Sequence, residues 1–206
     1  SRIIKKNDIF FAIKGKKVDG NKFIPEALRK KSSLAIVNRV NKKYSISKQI
    51  KVDNPLSFLG KCSSIFRENI TAKIISITGS CGKTTLKEMI GLTLQKLSKT
   101  TYSPSSFNNK YGVPLSLFNL KQNDNFGVFE VGMDKKGEID NLTKIIKPDL
   151  GIITNISYAH SKNFKNIKQI ADAKAEIMNN IKNNGTIILN RDDNFYNYHK
   201  SLADNR

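Results

Sequence analysis

The chain has 206 residues, 38% of them apolar, two cysteines, and 36 Lys and Arg against 17 Asp and Glu, for a net charge of +19. That length suits one large or two small domains, while Cys62 and Cys81, apart from each other and from any His cluster, suggest neither a disulfide framework nor a zinc site, and no apolar run approaches the roughly 18 residues of a membrane helix. The charge invites a nucleic-acid reading, but 30 of the basic residues are Lys, dispersed in pairs such as Lys30-Lys31 and Lys135-Lys136 among many Asn, which reads as a solvated surface with no nucleic-acid partner.

"DIFFAIKG" (Asp8 to Gly15) predicts a strand ending at a glycine turn, "IPEALRKKS" a short helix with Pro in its first turn, and "SLAIVN" a second strand. After "IKVDNP", apolar residues at Leu56, Leu59, Cys62 or Ser63, and Phe66 mark a helical stripe over Leu56 to Asn69. Residues 1–70 thus predict a small α/β domain, and its 17 basic against 5 acidic side chains favour an anionic ligand.

From residue 71 to 206, apolar runs alternate with helical patterns: "KIISIT", then Thr84 to Leu97; "GVFEV", then Gly137 to Ile146; "LGIITNI", then Ile167 to Ile181; and last "TIILN". Such alternation predicts a second α/β domain, a mostly parallel sheet covered on both faces with ligands at the carboxyl ends of its strands.

The first of these junctions carries the chemistry. In "SITGSCGKTTLKEMIG", Gly79 and Gly82 allow a tight turn between strand and helix, so backbone N–H groups of Gly79, Ser80, Cys81 and Gly82 can face a phosphate. Lys83 would reach the β- and γ-phosphates of ATP, and the Thr84 hydroxyl, followed by Thr85, would ligate Mg2+. The usual Walker pattern would have its first glycine at Ile77, so this loop is shortened. A bare GxxGK[ST] is also met in plain strand-to-helix turns. Cys81 reads as a tolerated small residue, and bound Mg-ATP should shield it from alkylation.

Glu130 ends an apolar strand, where a carboxylate is costly unless paired or bound to metal; Mg2+ or a cap on the next loop would each satisfy it. His160 follows the strand Gly151 to Ile156, and a lone His is usually structural. Lys174 on a helix reads by itself as a solvated Lys, and Asn108, Asn109 and Asn155 as loop residues.

"TGSCGKTT" resembles the TGxxGKTT loop of the Mur ligases, ATP-dependent amide-forming enzymes of peptidoglycan synthesis. The segments "SFNNKYGVPLSL", "EVGMDKKGEI", "KPDLGIITNISYAH", "ADAKAEI" and "ILNRDD" follow in the family's order, covering nearly all of 74–193. Thr84 and Thr85 separate the chain from the folylpolyglutamate synthases, whose loop usually ends GKGS. The "SFNN..GVP" form is most similar to the branch that joins D-alanyl-D-alanine to UDP-N-acetylmuramoyl tripeptide through an acyl phosphate.

The resemblance implies a P-loop ATPase domain in which Glu130 holds Mg2+, His160 holds a second Mg2+, and Lys174 is carbamylated into a carboxylate-like ligand. Lys83, His160 and Lys174 would serve catalysis. Asn108 or Asn109 would position substrate or γ-phosphate, and Asn155 would join the nucleotide site. It also implies that "SR…DIFFAIKGKKVDGNKFI" opens a UDP-binding domain, with Ser1, Arg2 and Gly15 as substrate contacts, though a structural turn explains them equally well. Family members have a third domain, so the expectation is a cytoplasmic monomer whose 206 residues are a piece of a longer protein and do not ligate by themselves. A ligase for a single amino acid and a non-catalytic ATP-binding module are the alternatives.

Overall fold

The computed structural model describes residues 4–15, 18–158 and 163–204, in two compact units that divide between Cys62 and Ser63.

In the first unit, β1 (Ile9–Phe11), β2 (Leu34–Val37) and β3 (Gln49–Lys51) form a parallel sheet in that order. Helix α1 (Ile24–Arg29) connects β1 to β2 and carries Pro25 in its first turn, where the missing N–H would have had no partner anyway. Ala12, Ile24, Ala35 and Val37 form the buried core, with Phe10, Leu28 and Val40 packed against it. The first strand is shorter than its apolar run predicts. The Ile13 N–H turns back to Phe11 O (2.9 Å), and Lys14 forms an isolated antiparallel bridge with Asp19.

Helix α2 (Pro55–Glu68) is started by Asn54, whose side-chain oxygen accepts the N–H groups of Leu56 and Ser57. The units divide within this helix and not after it, at 70, as the sequence suggests. Its last turn explains why: Phe66 packs against the core of the second unit, and buried Arg67 donates to the carbonyls of Ile70 and Ile146.

The second unit runs β4 (Lys73–Thr78), α3 (Lys83–Leu97), β5 (Thr100–Tyr102), α4 (Gly112–Leu117), β6 (Phe126–Glu130), α5 (Glu138–Ile146), β7 (Leu150–Ile153), α6 (Ile167–Ala175), β8 (Thr186–Leu189) and α7 (Tyr196–Asp204). The five strands are parallel in the order β5-β6-β4-β7-β8. Alternation along each central strand feeds two cores. Ile74, Phe129 and Ile153 face one, with Leu117, Ile139, Ile146, Ile170 and Ile177. Ile77, Val128 and Ile152 face the other, against Leu86, Ile90 and Leu94 of α3.

The connections leave β4 toward β5 and β6 on one side, then cross to β7 on the other. A parallel sheet opens a crevice at such a reversal, at the carboxyl ends of its strands. The phosphate loop stands there.

The helix predicted over 167–181 stops at Ala175 and continues as a 3-10 turn, Glu176–Asn180. The Glu176 carboxylate is drawn to the start of α5, where it accepts the N–H groups of Gly137 (2.7 Å) and Asp140 (3.2 Å). Among the described residues no helix is long and apolar enough to cross a membrane.

Candidate nucleotide and metal site

Ile77, where a Walker loop would have its first glycine, is a fully buried strand residue paired with Glu130. The loop therefore begins two positions later, at Gly79, whose φ of +146° only glycine adopts readily. A Cβ at Gly79 would fall 1.8 Å from Thr154 Oγ1, so the loop is pressed onto the end of β7. Gly82, at φ +79°, makes the turn into α3.

Hydrogen bonds fasten this turn to residues 154–157. Ser80 N–H donates to Asn155 O (2.9 Å), Cys81 N–H to Asn155 Oδ1 (3.0 Å), and Thr154 Oγ1 to Cys81 O (2.7 Å). Ser80 Oγ both donates to Ser157 O and accepts from Ser157 N–H. Asn155 thus braces the loop with its backbone and its side chain, while exposed Cys81 makes no side-chain bond among the described residues.

Lys83 folds back so that Nζ donates to Gly79 O (2.8 Å) and Ser80 O (3.3 Å). Burial pushes its pKa down; the nearby Glu130 and Cys81 push it up, and the net direction is down. Thr84 Oγ1 donates to Glu130 Oε2 at 2.6 Å, and Asn108 Nδ2 donates to Glu130 Oε1 at 2.5 Å. Glu130 is completely buried, so these bonds and the field of Lys83 hold its charge. Thr85 is exposed on the first turn of α3.

Asn108 and Asn109 have different tasks. Asn108 grips Glu130, and its backbone O accepts Gly132 N–H (2.7 Å). Asn109 Oδ1 accepts the N–H groups of Tyr111 and Gly112, both at 3.0 Å, and so starts α4.

Lys174, expected from its own sequence context to be solvated, is only 2% exposed. Among the described residues no hydrogen bond or ion pair reaches its ammonium. Burial pulls its pKa down to about 7, helped by the positive charge of Lys83 and opposed by Cys81. His160 lies outside the described residues, as do Ser1 and Arg2. Gly15 belongs to the first unit, where its N–H donates to Val18 O (2.8 Å).

This donor set fits a magnesium nucleotide. A threonine hydroxyl and a carboxylate 2.6 Å apart are hard oxygen donors of the kind Mg2+ takes together with phosphate oxygens. The half-buried ammonium of Lys83 faces the Glu130 carboxylate, and its charge is also felt by the buried Lys174, which leaves positive charge for an anion to match. Among the described residues no cluster of three or more His, Cys, Asp or Glu could hold a metal ion by itself, and Thr84 and Glu130 are the oxygen donors the described residues bring together here.

Sequence reasoning passed over two buried charged residues, Lys87, which bonds the segment leading to Asn108, and Glu176, which accepts N–H groups at the start of α5. Lys87 reads as one more lysine in a lysine-rich helix, and its spacing alone gave no signal; Glu176 sits where a continuous helix would have exposed it.

A parallel sheet with a glycine-turned phosphate loop at its reversal point defines a P-loop α/β nucleotide-binding module. Comparison with known families narrows this. Residues 77–206 match the profile described as "Mur ligase middle domain", and residues 1–66 that of "Mur ligase family, catalytic domain". The chain belongs to the Mur ligase family.

Among its relatives is the UDP-N-acetylmuramoyl-tripeptide–D-alanyl-D-alanine ligase of Buchnera aphidicola, 40% identical over 188 residues that cover 91% of this chain and 41% of the relative. A crystal structure of MurF from Acinetobacter baumannii superposes with a TM-score of 0.92 at 33% identity, over 99% of this chain and 45% of that one. MurF ligase from Thermotoga maritima in complex with ADP gives 0.88 at 29% identity, over 99% and 47%. The chain thus spans less than half the length of these relatives.

Proposed function

We propose that the protein acts in the ATP-dependent joining of D-alanyl-D-alanine to UDP-N-acetylmuramoyl tripeptide, a cytoplasmic step in peptidoglycan precursor synthesis. The observation that carries this reading is the junction of Thr84, Glu130 and Asn108 beside the half-buried Lys83. Its support beyond geometry is the likeness to MurF ligases, one of them solved with ADP.

In this reaction the terminal carboxylate of the tripeptide takes the γ-phosphoryl group of ATP, and the dipeptide amine displaces phosphate from the acyl phosphate. Lys83 turns its ammonium from loop carbonyls toward the phosphates, where a fixed cation in a site closed to water is worth most. Thr84 and Glu130 would hold Mg2+, which neutralises charge on the transferring group when bound. Asn108 keeps Glu130 aimed at Thr84. His160 is proposed as a ligand for a second ion, and Ser1, Arg2 and Gly15 as contacts to the UDP moiety.

We also propose that Lys174 is carbamylated. A buried amine with a pKa of about 7, to which no carboxylate bonds among the described residues, can attack CO2 as the free base, releasing a proton and leaving a carbamate. The product would add a second negative charge, beside that of Glu130, for Lys83 and a metal ion to meet.

Since the 206 residues are not expected to ligate by themselves, release of phosphate from ATP by the full-length protein, measured with the tripeptide substrate and with or without D-alanyl-D-alanine, tests the assignment. Release that requires both is expected. A response to a free amino acid in place of the dipeptide would move the protein to another branch, and Mg-ATP binding without any release would make it a nucleotide-binding module. Bicarbonate should restore activity lost on removal of CO2, and Lys174→Ala should not respond.

A further inference from the structure

We propose that Lys87 is the positioning residue that sets segment 103–109 against the phosphate loop, and through Asn108 fixes the aim of Glu130. The inference rests on the Mg-nucleotide reading above and adds a residue to it. Lys87 is completely buried on α3, one helical turn beyond Lys83 and Thr84. Its Nζ donates to Ser103 O (2.7 Å) and Ser105 O (2.5 Å), pairs with Glu88 Oε1 (2.8 Å), and stands 5.8 Å from the centre of the Tyr102 ring.

A fully sealed lysine is costly unless every proton is used, and here each has an oxygen. What it holds is a segment without regular structure between β5 and α4. Ser105 has a φ of +47°, a conformation that side chains other than glycine seldom adopt and that surrounding contacts must sustain.

The contacts close a circuit. Thr84 on α3 reaches Glu130; Glu130 accepts Asn108; Asn108 continues back through Phe107 and Ser106 to Ser105; and Ser105 O returns to α3 at Lys87. Two residues three positions apart on one helix therefore grip both ends of segment 105–108. With the Lys87 end released, Asn108 is no longer pressed onto Glu130, and the carboxylate is free to leave Thr84.

The test uses the 206-residue protein with a fluorescent ADP analogue and Mg2+, read by nucleotide binding and by amide hydrogen exchange. Lys87→Met should melt cooperatively, exchange faster by about tenfold or more over 103–113, keep its protection in β4 and α5, and need several times more Mg2+ for half-maximal binding. Lys87→Arg, which can still offer two N–H groups to the two carbonyls, should recover part of the Mg2+ response.

In the wild-type protein, Mg-ADP should raise protection at the start of α3 and across 103–109 together. This second reading stands even if the Met variant does not fold. An unchanged Mg2+ midpoint in Lys87→Met, a uniform loss of protection throughout its second unit, or wild-type protection confined to α3 would each overturn the proposal while leaving nucleotide binding intact. Failure of the wild-type protein to bind Mg-ADP at all would instead remove the parent reading, and this one with it.

Discussion

Two lysines in the second unit are sealed from solvent in opposite ways. Lys87 has an oxygen for every proton: two loop carbonyls and Glu88. Lys174 is buried almost as deeply, yet among the described residues nothing bonds to it, and the nearest charge that raises its cost is another cation, Lys83. The contrast teaches how a buried charge should be read. One whose partners are complete holds the fold in place; one without a partner among the described residues is a candidate for chemistry, in which a reaction or a ligand would supply the missing charge.

The strongest way to break this comparison is to remove the negative side of the site. Glu130→Gln keeps the shape but strips the charge that faces Lys83, and should reduce phosphate release by about 10²–10³-fold, with the melting transition retained. Normal turnover would show that the carboxylate is only a brace for Thr84 and Asn108.

Arg67 extends the comparison to a third buried cation. It donates to Ile146 O, Ile70 O and Lys147 O and pairs with Asp149. Arg67→Ala would strand these groups and should cost about 3–5 kcal/mol in a denaturant titration. A loss within the scatter of a surface substitution would undo the claim that completed partners mark structural charges.

Opposite signs are expected for the two lysines themselves. Lys174→Met removes an unmatched charge and should raise the melting temperature in CO2-free buffer, whereas Lys87→Met should lower it, by about 2–4 °C for each kcal/mol involved. Shifts of the same sign would erase the distinction.

Asp149 gives a smaller effect, visible with pH. Burial pushes its carboxyl up, but the Ile74 N–H, Lys182 and Lys73 pull it further the other way, so it lies below its ordinary value. A carboxylate depressed on folding adds stability that is complete above its unfolded pKa of about 4 and is lost as pH falls through the folded value. Wild-type stability should therefore fall more steeply than that of Asp149→Asn below about pH 4. The slightest perturbation is alkylation of Cys81, which bound Mg-ATP should slow while half-buried Cys62 is unaffected; equal labelling with and without nucleotide would detach the loop from the site.

Much of this was legible in the sequence because parallel strands are apolar on both faces. "KIISIT", "GVFEV" and "LGIITNI" announce β4, β6 and β7, and the glycine spacing places the phosphate loop between β4 and α3. Elements made by context were not. β3 and β5 are three residues each, too short for any period to register, and two residues of β3 are exposed. Helix α4 contains Gly112 and Pro114, poor helix formers, and exists because Asn109 starts it and Val113 and Leu117 are fully buried.

The site divides in the same way. Lys83, Thr84 and Glu130 announce themselves by motif and by a charge at the end of an apolar run. Lys87 and Glu176 do not, since their roles depend on Ser103, Ser105 and Gly137, groups distant in sequence that only the fold brings near. The split between Asn108, which reaches Glu130, and Asn109, which starts a helix, is likewise a matter of side-chain direction that adjacent identical residues cannot reveal.

The fastening of residues 79–82 to 154–157 has a kinetic consequence. A loop already tied down by Thr154, Asn155 and Ser157 has little disorder left to lose when a triphosphate arrives. Nucleotide should therefore dock at a rate set by diffusion and charge attraction, without a slow ordering phase. Differences in affinity among loop variants would then show up in how long the nucleotide stays.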